Sequence, residues 1–225
     1  YTIAISGAHG KTTTTAMIGK ILIDANLDPT IIVGSLLKDS KSNFVAGKGG
    51  YFVVEACEYK KSFLEINPKI IVITNIDNDH LDYYKNLNNI KKAFAEFVSK
   101  LPEGGYLICD PNDKNLKEVI KKTKAKIIDY TKIIAGFNLK IPGQHNIKNA
   151  KAAMSVAKIL DIDEKEAIKS LNDFSGTWRR FECKGETKKG VIVYDDYGHH
   201  PTEIKAALKG AREFFGDKKI WCVFQ

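Results

Sequence analysis

Thr2-Ile-Ala-Ile-Ser-Gly7-Ala-His9-Gly10-Lys11-Thr12-Thr13-Thr14-Thr15-Ala-Met-Ile-Gly19 decides the fold. A short apolar run with strand character leads into a glycine loop. Thr13–Ala25 then reads as a helix with Lys11 and Thr12 at its opening. Strand, glycine loop and helix in this order build a phosphate cradle, because glycines let backbone N–H groups turn inward and a helix N-terminus adds partial positive charge. A lysine at the first turn would bring a full charge to the β- and γ-phosphates, and the Thr12 hydroxyl could ligate Mg2+. The motif is shorter than the usual G-x-x-x-x-G-K-[ST], since Ile5 stands where that pattern needs its first glycine. A glycine turn leading into a helix with a solvated lysine fits the same residues, so the rest of the chain has to decide.

Working outward, apolar runs alternate with helical patterns. Thr30–Gly34, Tyr51–Glu55, Lys69–Thr74, Gly105–Cys109 and Lys126–Tyr130 read as strands. Leu36–Gly50 is polar and glycine-bearing and reads as loop, and Ser62–Asn67 as a helical turn closed by Pro68. Asn89–Leu101 carries Ile90, Phe94, Phe97, Val98 and Leu101 at helical spacing; Asn115–Lys122 reads as a further helix. His145–Leu160 and Asp163–Leu171 are two more, with Asp163 as N-cap. This alternation predicts an α/β fold, a mostly parallel sheet with helices on both faces. Ser175-Gly-Thr-Trp breaks the pattern, so we divide the chain into residues 1–176 and 177–225. Beyond the break, strands Val191–Tyr194 and Lys219–Phe224 flank a helix Pro201–Phe215, the start of a second β–α–β unit.

The 225 residues carry a net charge of +8, with lysines spread along the whole chain. This describes a solvated lysine-rich surface, also compatible with an anionic substrate such as a nucleotide, and not a nucleic-acid groove. Cys57, Cys109, Cys183 and Cys222 have no metal or redox spacing and sit in apolar runs, so they read as buried, reduced thiols of a cytoplasmic protein. No apolar run is long enough to span a membrane, and no signal peptide is present. The chain opens on one core strand and stops inside another, which reads as a piece of a longer protein.

Polar residues gather where strands of a parallel sheet end: Gly7–Thr12, Glu55, Asn75–Asp82 and Asp195–His200. Glu55 could hold Mg2+ beside Lys11-Thr12, or simply pair with a lysine; Glu58, three residues on, is the weaker candidate. His80 is an unusual ligand for a hard cation, and on chemistry alone reads as an N-cap or core histidine. Asn146 and Asn149 could read the edge of an adenine, or Asn146 could cap a helix. All five histidines (His9, His80, His145, His199 and His200) fall in these polar segments, which favours a shared functional reading.

Taken in order, Gly7-x-x-Gly10-Lys11-Thr12, Glu55-Ala-Cys-Glu58, Thr74-Asn75-Ile-x-x-Asp79-His80-x-Asp82, Gly143-x-His145-Asn146-x-x-Asn149, Thr177-Trp-Arg179-Arg180-Phe181 and Asp195-Asp196-Tyr197-Gly198-His199-His200-Pro201-Thr202 resemble the Mur ligase family over essentially the whole chain. The last motif is similar to the branch that adds L-alanine to UDP-N-acetylmuramate; a branch that reattaches recycled murein tripeptide shares a similar His-His-Pro-Thr. The resemblance implies a central ATP-binding domain over residues 1–176 and the truncated start of a Rossmann-like amino-acid-binding domain over 177–225. It also implies a reaction in which ATP phosphorylates a carboxylate and an amine attacks the acyl phosphate.

By the same resemblance, Gly7, His9, Gly10, Lys11, Thr12 and Thr13 would wrap the phosphates. Thr12 and Glu55 would hold one Mg2+, and His80 would help hold a second. His145, Asn146 and Asn149 would frame the adenine, Arg180 would approach the nucleotide and Asp195 would reach the ribose. Lys11, His80 and His199 would be the catalytic set. Two departures stand out. Phe94 occupies the place where several family members carry a carbamylated lysine, and only Thr131–Lys140 lies where the family has a longer β-rich insert, which predicts a reduced side sheet near Phe137–Ile141. A nucleotide-binding module without ligase activity and a P-loop kinase are the competing readings; the His80 and Asp195–His200 motifs argue against the first, and the absence of an arginine-rich lid segment against the second.

Overall fold

The computed structural model describes residues 1–224. Its main body is a seven-stranded sheet. The strands are β1 (Thr2–Ser6), β2 (Thr30–Leu37), β3 (Ser42–Val45), β4 (Phe52–Glu55), β5 (Ile70–Ile73), β6 (Tyr106–Cys109) and β7 (Lys126–Asp129). They lie in the order β3-β2-β4-β1-β5-β6-β7, parallel except for the edge strand β3. β1 is central, pairing Ile3 with Val53 of β4 and with Ile70 of β5. The chain moves to one side of β1 through β2 and β4, then crosses to the other side at β5. In an open parallel sheet, that reversal leaves a crevice at the strands' carboxyl ends.

Alternation along the strands builds two cores, since successive side chains point to opposite faces. Ile3, Ile5, Ile70 and Val72 face one layer, made by α1 (Lys11–Asp24), α4 (Gln144–Ile159) and α5 (Glu164–Asp173). Ala4, Ile71 and Ile73 face the other, where α3 (Leu87–Ser99) lays down Phe94, Phe97 and Val98. Phe97 stacks on Phe63 with ring centroids 4.4 Å apart. β1 and β5 are buried on both faces, as an all-apolar parallel strand requires. Asn86 caps α3 and Asp163 caps α5, each accepting backbone N–H bonds in the first turn. The four-residue helix α2 (Leu81–Tyr84) follows His80.

After Thr177, the chain forms β8 (Glu182–Glu186), β9 (Ile192–Asp195) and α6 (Pro201–Phe215). The crossing segment is tied to β2 by a bridge between Leu37 and Thr177 and by the Trp178 N–H on the Leu36 carbonyl.

Several expectations are corrected. The stretch read as loop contains β3, a short polar edge strand whose composition carries no period-two signal. Asn115–Lys122 is not an α-helix: Asp110 and Asp113 accept the N–H groups of Asn112 and Asn115, turns that compete with helix, and only Ile120–Lys122 winds into a 3-10 turn. The second part begins with the antiparallel pair β8–β9 in place of a β–α–β unit. Lys219–Phe224 forms no strand among the described residues, and Val223 is 96% exposed. No side sheet forms near Phe137–Ile141 among the described residues; Phe137 and Leu139 pack on the α-helical layer. Of the four cysteines only Cys109 is buried, its thiol pushed up to about 12 by burial; Cys57, Cys183 and Cys222 are exposed.

Candidate active site

Gly7 and Gly10 shape the loop between β1 and α1. Both have positive φ, 131° and 87°. A Cβ on Gly7 would lie 2.2 Å from Thr74 Oγ1, and one on Gly10 would lie 2.6 Å from Asn149 Oδ1. The loop is thus pressed against the end of β5 and the first turns of α4, an approach only glycine permits. Polar bonds hold it there. Thr74 Oγ1 and Asn75 Nδ2 donate to the His9 carbonyl at 2.6 and 2.8 Å, and the His9 N–H donates to Asn75 Oδ1 at 3.0 Å. Tyr130 supports this from beneath, its hydroxyl donating to the Thr74 carbonyl at 3.1 Å. Burial and nearby carboxylates keep that phenol protonated.

A cavity of about 470 Å³ opens above the loop. His9, Gly10, Thr12 and Thr13 form its floor, and Thr74, Asn75 and Asp77 one side. The turn after β6 contributes Asp113, Lys114 and Asn115; α4 contributes His145, Asn146 and Asn149; the second part contributes Arg180, Asp196 and Glu203. Two helices open onto it without caps. The N-caps of α1 and α4 are Gly10 and Gly143, and neither offers a side chain to the first-turn N–H groups. By contrast α3, α5 and α6 each carry a capping side chain. Uncapped first turns leave free donors aimed outward, the arrangement that takes up phosphate. Asn146 is therefore not a cap: its Nδ2 donates to the Pro142 carbonyl at 2.7 Å and its Oδ1 accepts from Asn149 Nδ2 at 3.3 Å. Burial holds the His145 imidazole neutral, its pKa lowered.

A bridge between the two parts closes the cavity. His9 Nε2 is 3.1 Å from Asp77 Oδ2, and His9 Nδ1 is 3.3 Å from Glu203 Oε1 on α6. Burial opposes charge on His9, but the two carboxylates outweigh it and its pKa is raised. Burial likewise works against the Glu203 anion, yet His9 and Arg180 hold its pKa down at about 2. Both His9 nitrogens face acceptors, so the ring serves as an imidazolium clasp. Arg180 Nη1 approaches Glu203 Oε1 at 3.7 Å, and Thr202 Oγ1 donates to Asp77 Oδ2 at 3.3 Å.

Lys11, Glu55 and His80 lie behind the loop, outside the cavity lining. Thr12 Oγ1 donates to Glu55 Oε1 at 3.0 Å, and Glu55 Oε2 accepts the Gly34 N–H at 2.6 Å. His80 is not beside Glu55. Its Nε2 is 3.9 Å from Glu58 Oε1 and 3.8 Å from Asp79 Oδ2, and these three residues can converge on one ion. Asp195 pairs with Arg179 at 3.0 Å, while Asp196 faces the cavity. The His199 side chain is 67% exposed and stands outside it.

The fold is shared with solved structures: that of the UDP-N-acetylmuramate-alanine ligase of Thermotoga maritima superposes with a TM-score of 0.82 at 27% identity, over 97% of this chain and 55% of that one. A murein peptide ligase from Psychrobacter arcticus gives 0.74 at 26% identity, over 96% and 55%. The family model of the Mur ligase middle domain matches residues 5–133. The chain belongs to the Mur ligase family. A second Mur ligase model, described as the glutamate ligase domain, matches residues 179–225. The chain is 44% identical to the UDP-N-acetylmuramate–L-alanine ligases of Clostridium kluyveri and Clostridium acetobutylicum, over all of this chain and 55% of each of those proteins. The Mur ligase chain thus spans about half the length of the curated relatives it matches. That alignment runs over 252 positions against 225 residues here, so these relatives hold about 27 residues that this chain lacks.

The residues of this Mur ligase chain fit a nucleoside triphosphate and a divalent cation on three observations. Two uncapped helix ends meet at one cavity. A cradle that any Cβ would fill lies over α1. Glu58 is buried, and its Oε2 has no hydrogen-bond partner among the described residues. Phe94 is a core residue at 1% exposure, so no charged group serves a cation from that position. Sequence reasoning missed Asp77, Glu203 and the Asp110–Asn115 turn. The turn could have been found from its place after an apolar strand; nothing local ties His9 to Glu203, 194 residues away.

Proposed function

We propose that this chain carries the nucleotide-handling part of an ATP-dependent ligase that joins L-alanine to UDP-N-acetylmuramate, a step of peptidoglycan precursor synthesis. The observation that carries this reading is the convergence of two uncapped helix N-termini on a cavity walled on its far side by Arg180 and Glu203 of the second part. A nucleotide-binding switch or structural module without ligase activity has no need of that second wall. In this reading residues 1–176 form the ATP domain and 177–225 begin the amino-acid domain.

The N–H groups of Gly10–Thr13 and the Lys11 ammonium bind the β- and γ-phosphates. His145, Asn146 and Asn149 frame the adenine, and Arg180 steadies the nucleotide from the second part. Thr12, Glu55 and His80 with Glu58 are the residues that would hold Mg2+. The cation, when bound, screens phosphate charge as a carboxylate oxygen attacks the γ-phosphorus. ADP leaves, the alanine amine attacks the resulting acyl phosphate, and phosphate departs. The protein's part is charge clamping and alignment, with little covalent work. Asp195 and His199 would reach ribose and acyl centre only after a movement of the β9–α6 loop, since both now point elsewhere. The alanine-adding reading is supported by 44% identity to alanine ligases over the whole of this chain, and by a TM-score of 0.82 to a solved alanine ligase beside 0.74 to a murein peptide ligase.

The test is ADP release by the full-length protein with UDP-N-acetylmuramate across a panel of amino acids, with hydroxylamine trapping of the acyl phosphate. Alanine-dependent release and a trapped hydroxamate are expected. ATP binding without either would favour the non-ligating module. The 225-residue chain alone is expected to bind Mg-ATP and not to ligate, because untethered reactants forfeit roughly 7 kcal/mol or more of alignment.

A further inference from the structure

Glu58 is only 3% exposed, and its two carboxylate oxygens are treated unequally. Oε1 pairs with Lys11 Nζ at 2.9 Å, while Oε2 is buried with no partner among the described residues. A buried carboxylate so left is costly, because each lone pair withdrawn from water needs a replacement donor or cation. Its neighbour Glu55 shows the contrast: there both oxygens accept bonds, from Thr12 and Gly34. The unmet demand for positive charge is therefore at Glu58.

Lys11 is fully engaged on the same side. Its ammonium donates to the carbonyls of Gly7 and Ala8, at 2.5 and 3.2 Å, and to Glu58. Three acceptors use all three of its protons. A phosphate in the cradle adds a fourth acceptor, so Lys11 must give up at least one of the three, and Glu58 is the one whose partner a cation can replace. That departure would leave the carboxylate buried and unpaired unless another cation replaces the ammonium. The replacement site is at hand, because Glu58, Asp79 and His80 each present a ligand atom within 4.8 Å of the others. The two carboxylates supply the oxygen ligands that Mg2+ and Mn2+ take, with the imidazole as an additional donor.

We propose that Glu58 is a positioning residue that exchanges Lys11 for a divalent cation when a nucleoside triphosphate enters, so that metal and nucleotide bind as a coupled pair. The inference rests on the reading of the cavity as a nucleotide site. It makes Glu58 both the latch that holds Lys11 beneath the loop and the ligand that, with His80, receives the cation. Lys11 cannot turn to phosphate at full strength until the cation arrives, and the coupling is reciprocal as any linkage must be.

The test is ATP affinity by calorimetry on the 225-residue chain, with Mg2+ and with EDTA, for wild type, Glu58→Gln and Glu58→Asp. Glu58→Gln keeps the volume and removes the buried charge. In wild type, Mg2+ is expected to tighten ATP binding strongly. In Glu58→Gln that enhancement is expected to fall at least about tenfold, the scale on which losing a metal-site partner acts. Metal-free ATP affinity should hold or rise, because Lys11 is released. Glu58→Asp, retaining charge at shorter reach, should recover part of the enhancement. Mn2+ counted by electron paramagnetic resonance with ATP present should drop by one ion per chain in Glu58→Gln. Unchanged Mg2+ enhancement and an unchanged Mn2+ count in a folded Glu58→Gln chain would overturn the inference and leave Glu58 a structural ion-pair partner. No ATP binding by wild type would overturn the nucleotide reading beneath it.

Discussion

β1 and β9 both lead into a wall of the cavity, yet they are held by different physics. Ile3, Ala4 and Ile5 of β1 are fully buried between two helical layers. Ile192 and Val193 of β9 are 41% and 42% exposed, and among the described residues β9 pairs only with β8. The wall built on β1 is positioned by a packed core. The wall built on β9 and α6 is positioned by a few polar contacts: His9 with Glu203, Arg180 with Glu203, and Thr202 with Asp77. The second, polar-latched wall adds only the buried Ala211 and the approach of Gly210 to Gly143 at the start of α4, so it can open at far smaller cost than the packed first wall. Contacts of the second kind are exchangeable with water and sensitive to protonation.

The sharpest way to break this comparison is a pair of aromatic truncations, one buried in the main body and one exposed in the second part. Phe97→Ala, at a fully buried ring stacked on Phe63, is expected to cost about 3–5 kcal/mol in urea unfolding of the main body. Trp221→Ala, at a ring 76% exposed, is expected to change that transition by less than about 0.5 kcal/mol. Similar losses at both sites would show the two parts to be packed alike.

Lys11→Ala comes next. On the proposed function, this substitution in the full-length protein removes the charge that serves the transferring phosphoryl and should cost about 3 kcal/mol, roughly a hundredfold in rate. The structure adds a stability loss, since Glu58 keeps its burial and loses its cation. Lys11→Ala with Glu58→Gln should therefore regain stability without regaining turnover. Recovery of turnover in the double variant would remove Lys11 from the phosphate site.

The polar-latched wall has a pH signature. His9 has a raised pKa in the folded chain, so its contribution is fully present below the ordinary 6.5 and lost as pH rises through the raised value. Glu203, held down at about 2, contributes above its ordinary 4.5 and loses that contribution as pH falls toward 2. Docking of α6 should be tightest between 4.5 and 6.5, with Asp77, Glu203 and His200 facing the His9 ring and Arg180 facing Glu203. Hydrogen exchange of α6 against pH measures it. Glu203→Gln should loosen α6 by about 1.5–3 kcal/mol, the scale of one charge-assisted bond, and abolish most of the alkaline limb. An unchanged pH profile would move the latch elsewhere. The smallest effect is expected at Thr202→Val, at most about 0.5 kcal/mol, because its bond to Asp77 is exposed.

Much of the site was legible before the fold was known. The glycine loop announced itself through spacing, and the structure returns Gly7 and Gly10 as positions where a Cβ has no room. Asn146 and Asn149 were legible as a pair on one helix face, and they lie together at the cavity. Glu58 was the weaker of two neighbouring acids by sequence, yet it is the one beside His80. Strand-end position favoured Glu55, and nothing local reports that the Glu58 side chain turns inward beneath Lys11. Asn115–Lys122 reads as a helix, and the two aspartates just before it, Asp110 and Asp113, bond the N–H groups of Asn112 and Asn115 and turn the chain there instead.

By itself, the sequence determined the alternation of strands and helices, the loop that must be glycine, and the family. Those follow from local rules: side-chain periodicity, backbone freedom at positive φ, and residue types at fixed spacing. Tertiary structure alone decided which carboxylate Lys11 holds, and that His9 reaches Glu203 across 194 residues. It alone decided that Asp196 faces the cavity while Asp195 turns away to Arg179. The physical reason is that charge pairing depends on distance in space and on the water excluded around it, and neither quantity is written in the spacing of residues along a chain.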